Sequence, residues 1–394
     1  MGNSLREIKL RPGGAAESLA HGHPWVWRET VSRGLDGARA GEEVQVVGAD
    51  GAPVGRGLVD PGSPLAVRMW TRGRAPVDAA LWRERARRAG ALRATLFEGG
   101  ATTAYRVLHG EGDRMPGFVV DRYAAVAVAR TDGDAATARV ADLAEALWPT
   151  LESWGVSTLV HRLGGKGETP RLELLRGTPP PDTVRVLEHG VPFVVDLARG
   201  QKTGAFLDQR ENRRRVGELA RGRRVLNLFS YAGGFSLRAA LGGATHVTSV
   251  DVAAGAHATA QASFRAAGVD PGAHAFATAD ARAFLDAARG RGERWDLVVS
   301  DPPSFAPSEK AVARALSSYR GLHRACADVL APAGVLCAAS CSSHVDAATF
   351  LTTLDDAALG RDDLRLLELR GAGADHPTLP AFPEGRYLKF AVLA

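Results

Sequence analysis

The chain has 394 residues, 45% hydrophobic and 24% charged, which is enough to bury real cores and too apolar for disorder. Its three cysteines give neither a disulfide framework nor a metal-ligand spacing, and no apolar run approaches the ~20 residues that cross a bilayer. The net charge is +5, and only five of the 49 basic residues are lysine, so arginine is placed to meet an anionic partner.

The opening segment, 1–13, lacks the apolar core of a signal peptide. Arg6 stands where a myristoylation site carries Ser or Thr, so a cytoplasmic location is expected. Residues 1–75 contain short strand-like runs at 43–47, 55–59 and 65–70, punctuated by Gly, Asp and Pro. They read as a small β-barrel-like module.

A second region, 76–182, reads as an α+β domain. Asp78 caps a helix whose inward positions are Leu81, Trp82, Ala86, Ala89 and Leu92. Arg83, Arg85, Arg87, Arg88 and Arg93 fall on its outward face, either solvated or in contact with phosphates. A strand-like run at 117–130 and a helix around 135–148 follow, and the region ends in the proline-rich stretch 178–182.

From 183 to 394 buried strands alternate with helices. The expected strands are 225–229, 246–252, 274–280, 297–301, 335–341, 364–370 and 387–393. Alternation of this kind predicts an open, mostly parallel α/β sheet with ligands outside the carboxyl ends of its strands.

Those ends carry chemistry. The first strand runs into Phe229-Ser230-Tyr231-Ala232-Gly233-Gly234, a glycine-containing turn that lets backbone approach a ligand but is not a dinucleotide fingerprint. Asp251 closes the second strand and Asp280 the third; each is either an acceptor for a nucleoside or a helix cap. The fourth ends in Asp301-Pro302-Pro303-Ser304-Phe305, where two prolines stiffen the loop behind Asp301 and Phe305 offers a stacking face. The fifth ends in Ser340-Cys341-Ser342. Cys326 falls in a helical core pattern and Cys337 inside a strand, which leaves Cys341 as the thiol beside the cleft.

Taken in order, these motifs resemble a class I S-adenosylmethionine-dependent methyltransferase. More narrowly, the chain is similar along nearly its whole length to the bacterial 23S rRNA (cytosine-5) methyltransferases with an N-terminal PUA domain. Gly22-His23-Pro24-Trp25-Val26-Trp27, Gly112–Asp121, Gly200–Arg210, Asp375-His376-Pro377 and Glu384–Lys389 carry that similarity with the strand-end motifs. Ser304 stands where the family often has Lys, and Ser343 where it often has Gly.

The resemblance implies a PUA-like RNA-binding domain over 1–75, an α+β middle domain over 76–182, and a Rossmann-like class I methyltransferase domain over 183–394. It implies S-adenosylmethionine as cofactor, bound by Phe229, Ser230, Tyr231, Gly233, Asp251, Asp280 and Asp301. Cys341 would add to C6 of cytosine and Asp301 would hold the base edge. Pro302, Pro303, Phe305, Lys202 and Arg210 would meet the substrate, and Arg213, Arg214 and Arg215 extend a basic cluster from Arg210. The expected partner is RNA, in particular 23S rRNA; no membrane or metal is expected, and the resemblance permits a homodimer. The base that removes the C5 proton is not identified; His344 or a water is open. Two rival readings remain at this stage. One is methylation of a base nitrogen, suggested by the DPPSF loop. The other is RNA binding with an inactive methyltransferase domain.

Overall fold

Valine-rich runs separated by turn residues form the first sheet. In a computed structural model, which describes residues 5–164 and 170–394, it has six strands: Arg6–Leu10, Trp25–Trp27, Val31–Arg33, Glu43–Val47, Pro53–Val59 and Leu65–Arg72. Ile8, Leu10, Val44, Val46, Val59 and Val67 fill its interior. The first three strands are not legible in the sequence because each is short and mixes charged or aromatic residues with the apolar ones.

The second sheet has five strands, ordered Arg171–Gly177, Thr158–Leu163, Val126–Thr131, Phe118–Tyr123, Ala104–His109. The run at 117–130 is therefore a hairpin and not one strand. It turns on Ala124, which takes a left-handed φ of 56° without a glycine to announce it. The helix expected at 135–148 divides into Asp134–Ala138 and Val140–Ser153. Helix Ala79–Leu96 begins as read, with Asp78 accepting from the Leu81 amide at 2.9 Å. Trp82, Ala86 and Ala89 pack with Leu143, Leu147 and Leu151 in one core.

Arg93 corrects the reading of that helix. It is fully buried, while Leu92 is 39% exposed. The guanidinium is saturated: it forks onto Asp113 at 2.7 and 2.8 Å and donates to the carbonyls of Arg106 at 2.9 Å and Asp375 at 2.7 Å. A buried charge is tolerable only when satisfied in this way. Arg85 likewise donates to the carbonyls of Trp70 and Arg114, and Arg87 and Arg88 both bind Glu84.

Contacts divide the chain into two units. One comprises Met1–Val184, Leu197–Gly204 and Ala374–Gly385; the other comprises Arg185–Asp196, Ala205–Gly373 and Arg386–Ala394. The second unit contains a seven-stranded sheet. Its strands are β1 (Arg224–Leu228), β2 (His246–Asp251), β3 (Ala275–Thr278), β4 (Trp295–Ser300), β5 (Leu330–Ser340), β6 (Leu366–Arg370) and β7 (Lys389–Leu393), in the order β3-β2-β1-β4-β5-β7-β6. All seven expected strands are present. β1 to β5 are parallel, and β7 inserts antiparallel between β5 and β6. Leu226, Leu228, Val298, Leu336 and Ala338 face one core layer; Val225, Leu297, Val299 and Cys337 face the other. Burial on both faces is why these strands read as continuous apolar runs.

Candidate active site at the carboxyl ends of the sheet

The turn after β1 is held in tension. Phe229 has φ 55°, Tyr231 44° and Gly233 72°, so two non-glycine residues occupy the left-handed region within three positions. Such residues cost about 1–3 kcal/mol each and persist only where neighbours hold them. Asp251 at the end of β2 supplies that hold. One carboxylate oxygen accepts from the Tyr231 amide at 2.8 Å and the other from the Ala253 amide at 2.8 Å. The Ser230 amide donates to the Val250 carbonyl at 3.0 Å. Beneath the turn, Asn227 and Ser249 both donate to the Ser236 hydroxyl, at 2.9 and 2.7 Å. Gly233 is obligatory, because a Cβ there would lie 2.7 Å from the Cβ of Ala260.

A polar ligand suits this turn. The Ser230 hydroxyl is buried with no hydrogen-bond partner among the described residues, and such an orphan calls for a polar guest. A carboxylate offers about four acceptor sites, so Asp251 has acceptor capacity left for a ligand after bracing the turn. Asp280 is exposed and caps helix Ala281–Gly290, accepting from the Ala283 amide at 2.9 Å. Its helix-cap role is therefore real, and it uses one of the two oxygens.

The loops after β4 and β5 are tied together. Ser304 and Ser342 hydroxyls lie 3.0 Å apart, and the Ala306 amide donates to Ser342 at 3.3 Å. Tyr319, on helix Val312–Asp328, donates to the Ser340 hydroxyl at 2.9 Å and lies 3.1 Å from that of Ser342. Between these ties sits Cys341, half-buried, its Sγ 4.0 Å from the carbonyl oxygen of Pro302. Asp301 is half-buried at the end of β4, Pro302 is buried, and Pro303 is exposed. Phe305 packs one face against Tyr319, with ring centres 4.8 Å apart.

The thiols separate as the sequence ranks them. Cys326 and Cys337 are fully buried, and burial pushes both up to about 12. Among the three, Cys341 alone is not fully buried.

Lys389 holds the Cys341 loop from behind, a contact that the sequence reading passes over. It is 3% exposed, and its ammonium donates to the carbonyls of Ser342 at 2.6 Å and Tyr387 at 2.8 Å. A lysine at the head of an apolar strand reads as an edge residue, and its reach back to the Cys341 loop depends on β7 pairing with β5.

The arginine cluster at 210–215 is largely spoken for. Arg210 is 2% exposed and donates to Glu211 at 3.0 Å. Arg213 binds Glu188 and the Phe206 carbonyl, Arg215 binds Glu368, and Arg214 pairs with Glu218 in solvent. Lys202 is half-buried in the first unit at φ 53°, whereas Arg210 belongs to the second.

Comparison with known proteins agrees with this geometry. A family model described as S-adenosylmethionine-dependent methyltransferase matches residues 149–379, and one described as a PUA-like domain matches 8–72. A protein of Photobacterium profundum named ribosomal RNA large subunit methyltransferase I is 35% identical over 95% of this chain and 96% of its own. A Deinococcus radiodurans protein named ribosomal RNA large subunit methyltransferase is 38% identical over 99% of this chain and 98% of its own. Among solved structures, a Streptococcus mutans protein described as a SAM-dependent methyltransferase has a TM-score of 0.87, covering 99% of this chain and 100% of that one, at 22% identity. By matches of this length and identity, the chain belongs to the S-adenosylmethionine-dependent methyltransferase family, with a PUA-like domain earlier in the sequence.

Proposed function

We propose that this enzyme methylates C5 of a cytosine in large-subunit ribosomal RNA, with Cys341 as nucleophile. The observation that carries the reading is the position of Cys341: half-buried at the β5 exit against the Pro302 carbonyl, while the other two thiols are sealed in the core. The names of the relatives support ribosomal RNA as the substrate class. S-adenosylmethionine, when bound, supplies an electrophilic methyl group on a sulfonium. In our reading Phe229, Ser230, Tyr231, Gly233, Asp251, Asp280 and Asp301 hold it. Pro302, Pro303 and Phe305 line the base pocket, and Lys202 attends the RNA; Arg210, buried on Glu211, is not free to do so.

Cytosine C5 is a weak nucleophile. The Cys341 thiolate forms a bond from Sγ to C6, which moves electron density to C5. Asp301 steadies the N3 and 4-amino edge of the adduct. C5 takes the methyl group, the C5 proton then leaves to a base, and the Sγ–C6 bond breaks to return the thiolate. The target base leaves its stack to enter the cleft. Bacterial ribosomal RNA is matured in the cytoplasm, and a cytoplasmic site of action goes with this substrate.

The test is an RNA carrying 5-fluorocytosine, whose fluorine cannot leave as the proton does. Wild-type enzyme should be trapped as a covalent complex that survives denaturing electrophoresis, with the crosslink on Cys341 by peptide mass mapping. Cys341→Ala should fold, bind cofactor and transfer no methyl group. Methylation at wild-type rate by Cys341→Ala overturns the covalent route and favours nitrogen methylation around Asp301.

A further inference from the structure

The loop that carries Cys341 rests on a buried positive charge. Lys389 lies opposite Ser340 in the β5–β7 register and is 3% exposed. Its ammonium bonds two carbonyls, those of Ser342 and Tyr387, and no carboxylate lies within ion-pair distance of it among the described residues. An ammonium out of water costs several kcal/mol unless its surroundings answer the charge. Two carbonyls satisfy two of its three hydrogens; a neutral donor would bind them at far less cost. The charge itself therefore needs a use.

Its neighbours identify that use. Burial lowers the Lys389 ammonium to about 8, while Cys341 and Asp346 oppose the fall. Asp346 caps helix Ala347–Leu351 through the Thr349 amide at 2.7 Å, and its charge and that of Lys389 favour each other without an ion-pair contact. Tyr319 faces the same loop from helix Val312–Asp328; burial raises its phenol, which stays neutral at working pH. Arg370, opposite Phe390 across β6–β7, is turned to Glu368 at 2.9 Å. With Asp346, the Cys341 thiol is one of the two groups that favour the charge, and it belongs to the loop whose Ser342 carbonyl the ammonium holds at 2.6 Å.

We propose that Lys389 is a positioning residue for Cys341: it pins the 340–342 loop through the Ser342 carbonyl and holds the thiol in its thiolate form. The proposal rests on Cys341 being the nucleophile. The lysine touches neither base nor cofactor in this scheme; it acts through the cysteine.

Iodoacetamide alkylation of Cys341 against pH, read by peptide mass mapping, tests it. Cys326 and Cys337 do not compete, being buried with ionisation near 12. In Lys389→Met the alkylation midpoint should rise by about one pH unit and the rate at pH 7 fall about tenfold. S-adenosylhomocysteine affinity by calorimetry should not change. Lys389→Arg, whose charge does not titrate in this range, should keep the low midpoint and replace the two-step wild-type profile with one step. An unchanged midpoint in folded Lys389→Met overturns the proposal. Where that variant does not fold, a two-step profile in Lys389→Arg overturns it instead. Failure of the nucleophile assignment reads differently: Cys341→Ala then methylates RNA whatever the alkylation profile.

Discussion

Asp251 braces the turn after β1, and Asp251→Ala tests that brace together with the cofactor contact we propose for the same carboxylate. The substitution strips acceptors from the Tyr231 and Ala253 amides, each bonded at 2.8 Å. Bonds to a charged group are worth roughly 1.5–3 kcal/mol apiece. The site is half-exposed, so water recovers part of that, and the lower end, about 3 kcal/mol for the pair, is the working figure. The loss falls on a turn already carrying strain at Phe229 and Tyr231. Any ribose bonds to Asp251 vanish as well. At about 1.4 kcal/mol per decade, cofactor affinity should drop at least tenfold and up to a few hundredfold. Asp251→Asn should fall between, because its amide oxygen still accepts one of the two N–H groups. Urea denaturation reads the first loss and calorimetric titration with S-adenosylhomocysteine the second. Wild-type affinity together with wild-type stability in Asp251→Ala would refute both the bracing and the ligand role; lost stability with intact affinity would leave the carboxylate a brace alone.

Three further outcomes are expected. Arg93→Met leaves Asp113 buried without its fork and should cost about 3–5 kcal/mol by chemical denaturation, whereas Arg83→Ala on the exposed face should cost under about 0.5. His323 is held neutral by burial, down to about 4, and bonds the Thr353 carbonyl at 3.0 Å. Its contribution is present above pH ~6.5 and is lost as the pH falls toward 4, by up to about 3 kcal/mol. His323→Gln should flatten that part of the stability–pH curve, and an unaltered acid limb would exclude it. Replacing Arg83, Arg87 and Arg88 together with Ala should weaken RNA binding and reduce the salt slope by about 0.7 for each phosphate no longer neutralised. An unchanged slope would leave Arg87 and Arg88 as partners of Glu84 only.

The catalytic sheet is legible from sequence because parallel strands covered on both faces have no polar side to interrupt the apolar run. The acidic strand ends and Cys341 are legible for a related reason: they stand where such a run stops. What escapes is whatever depends on a partner distant in sequence. Leu92 and Arg93 are neighbours on one helix, and periodicity puts the leucine inside. Asp113 and the carbonyls of Arg106 and Asp375, brought up by the fold, reverse that choice. Lys389 escapes likewise, since its acceptor is the Ser342 carbonyl across a strand pair formed between β5 and the last stretch of chain. The hairpin at 118–131 escapes because Ala124 makes the turn without turn chemistry.

The division of the chain into interleaved segments sets an order on its assembly. The Asp375 carbonyl that receives Arg93 lies 282 positions further along, and the Asp375 carboxylate that accepts the Arg106 amide at 2.9 Å lies 269 further along. The strand between β5 and β6 is Lys389–Leu393. A ribosome making this protein has therefore released both units almost entirely before either can close. Until then the first unit holds a guanidinium one bond short, and the sheet has a gap where β7 belongs. On a chain that stops short of residue 374, neither the last bond to the Arg93 guanidinium nor the strand between β5 and β6 exists.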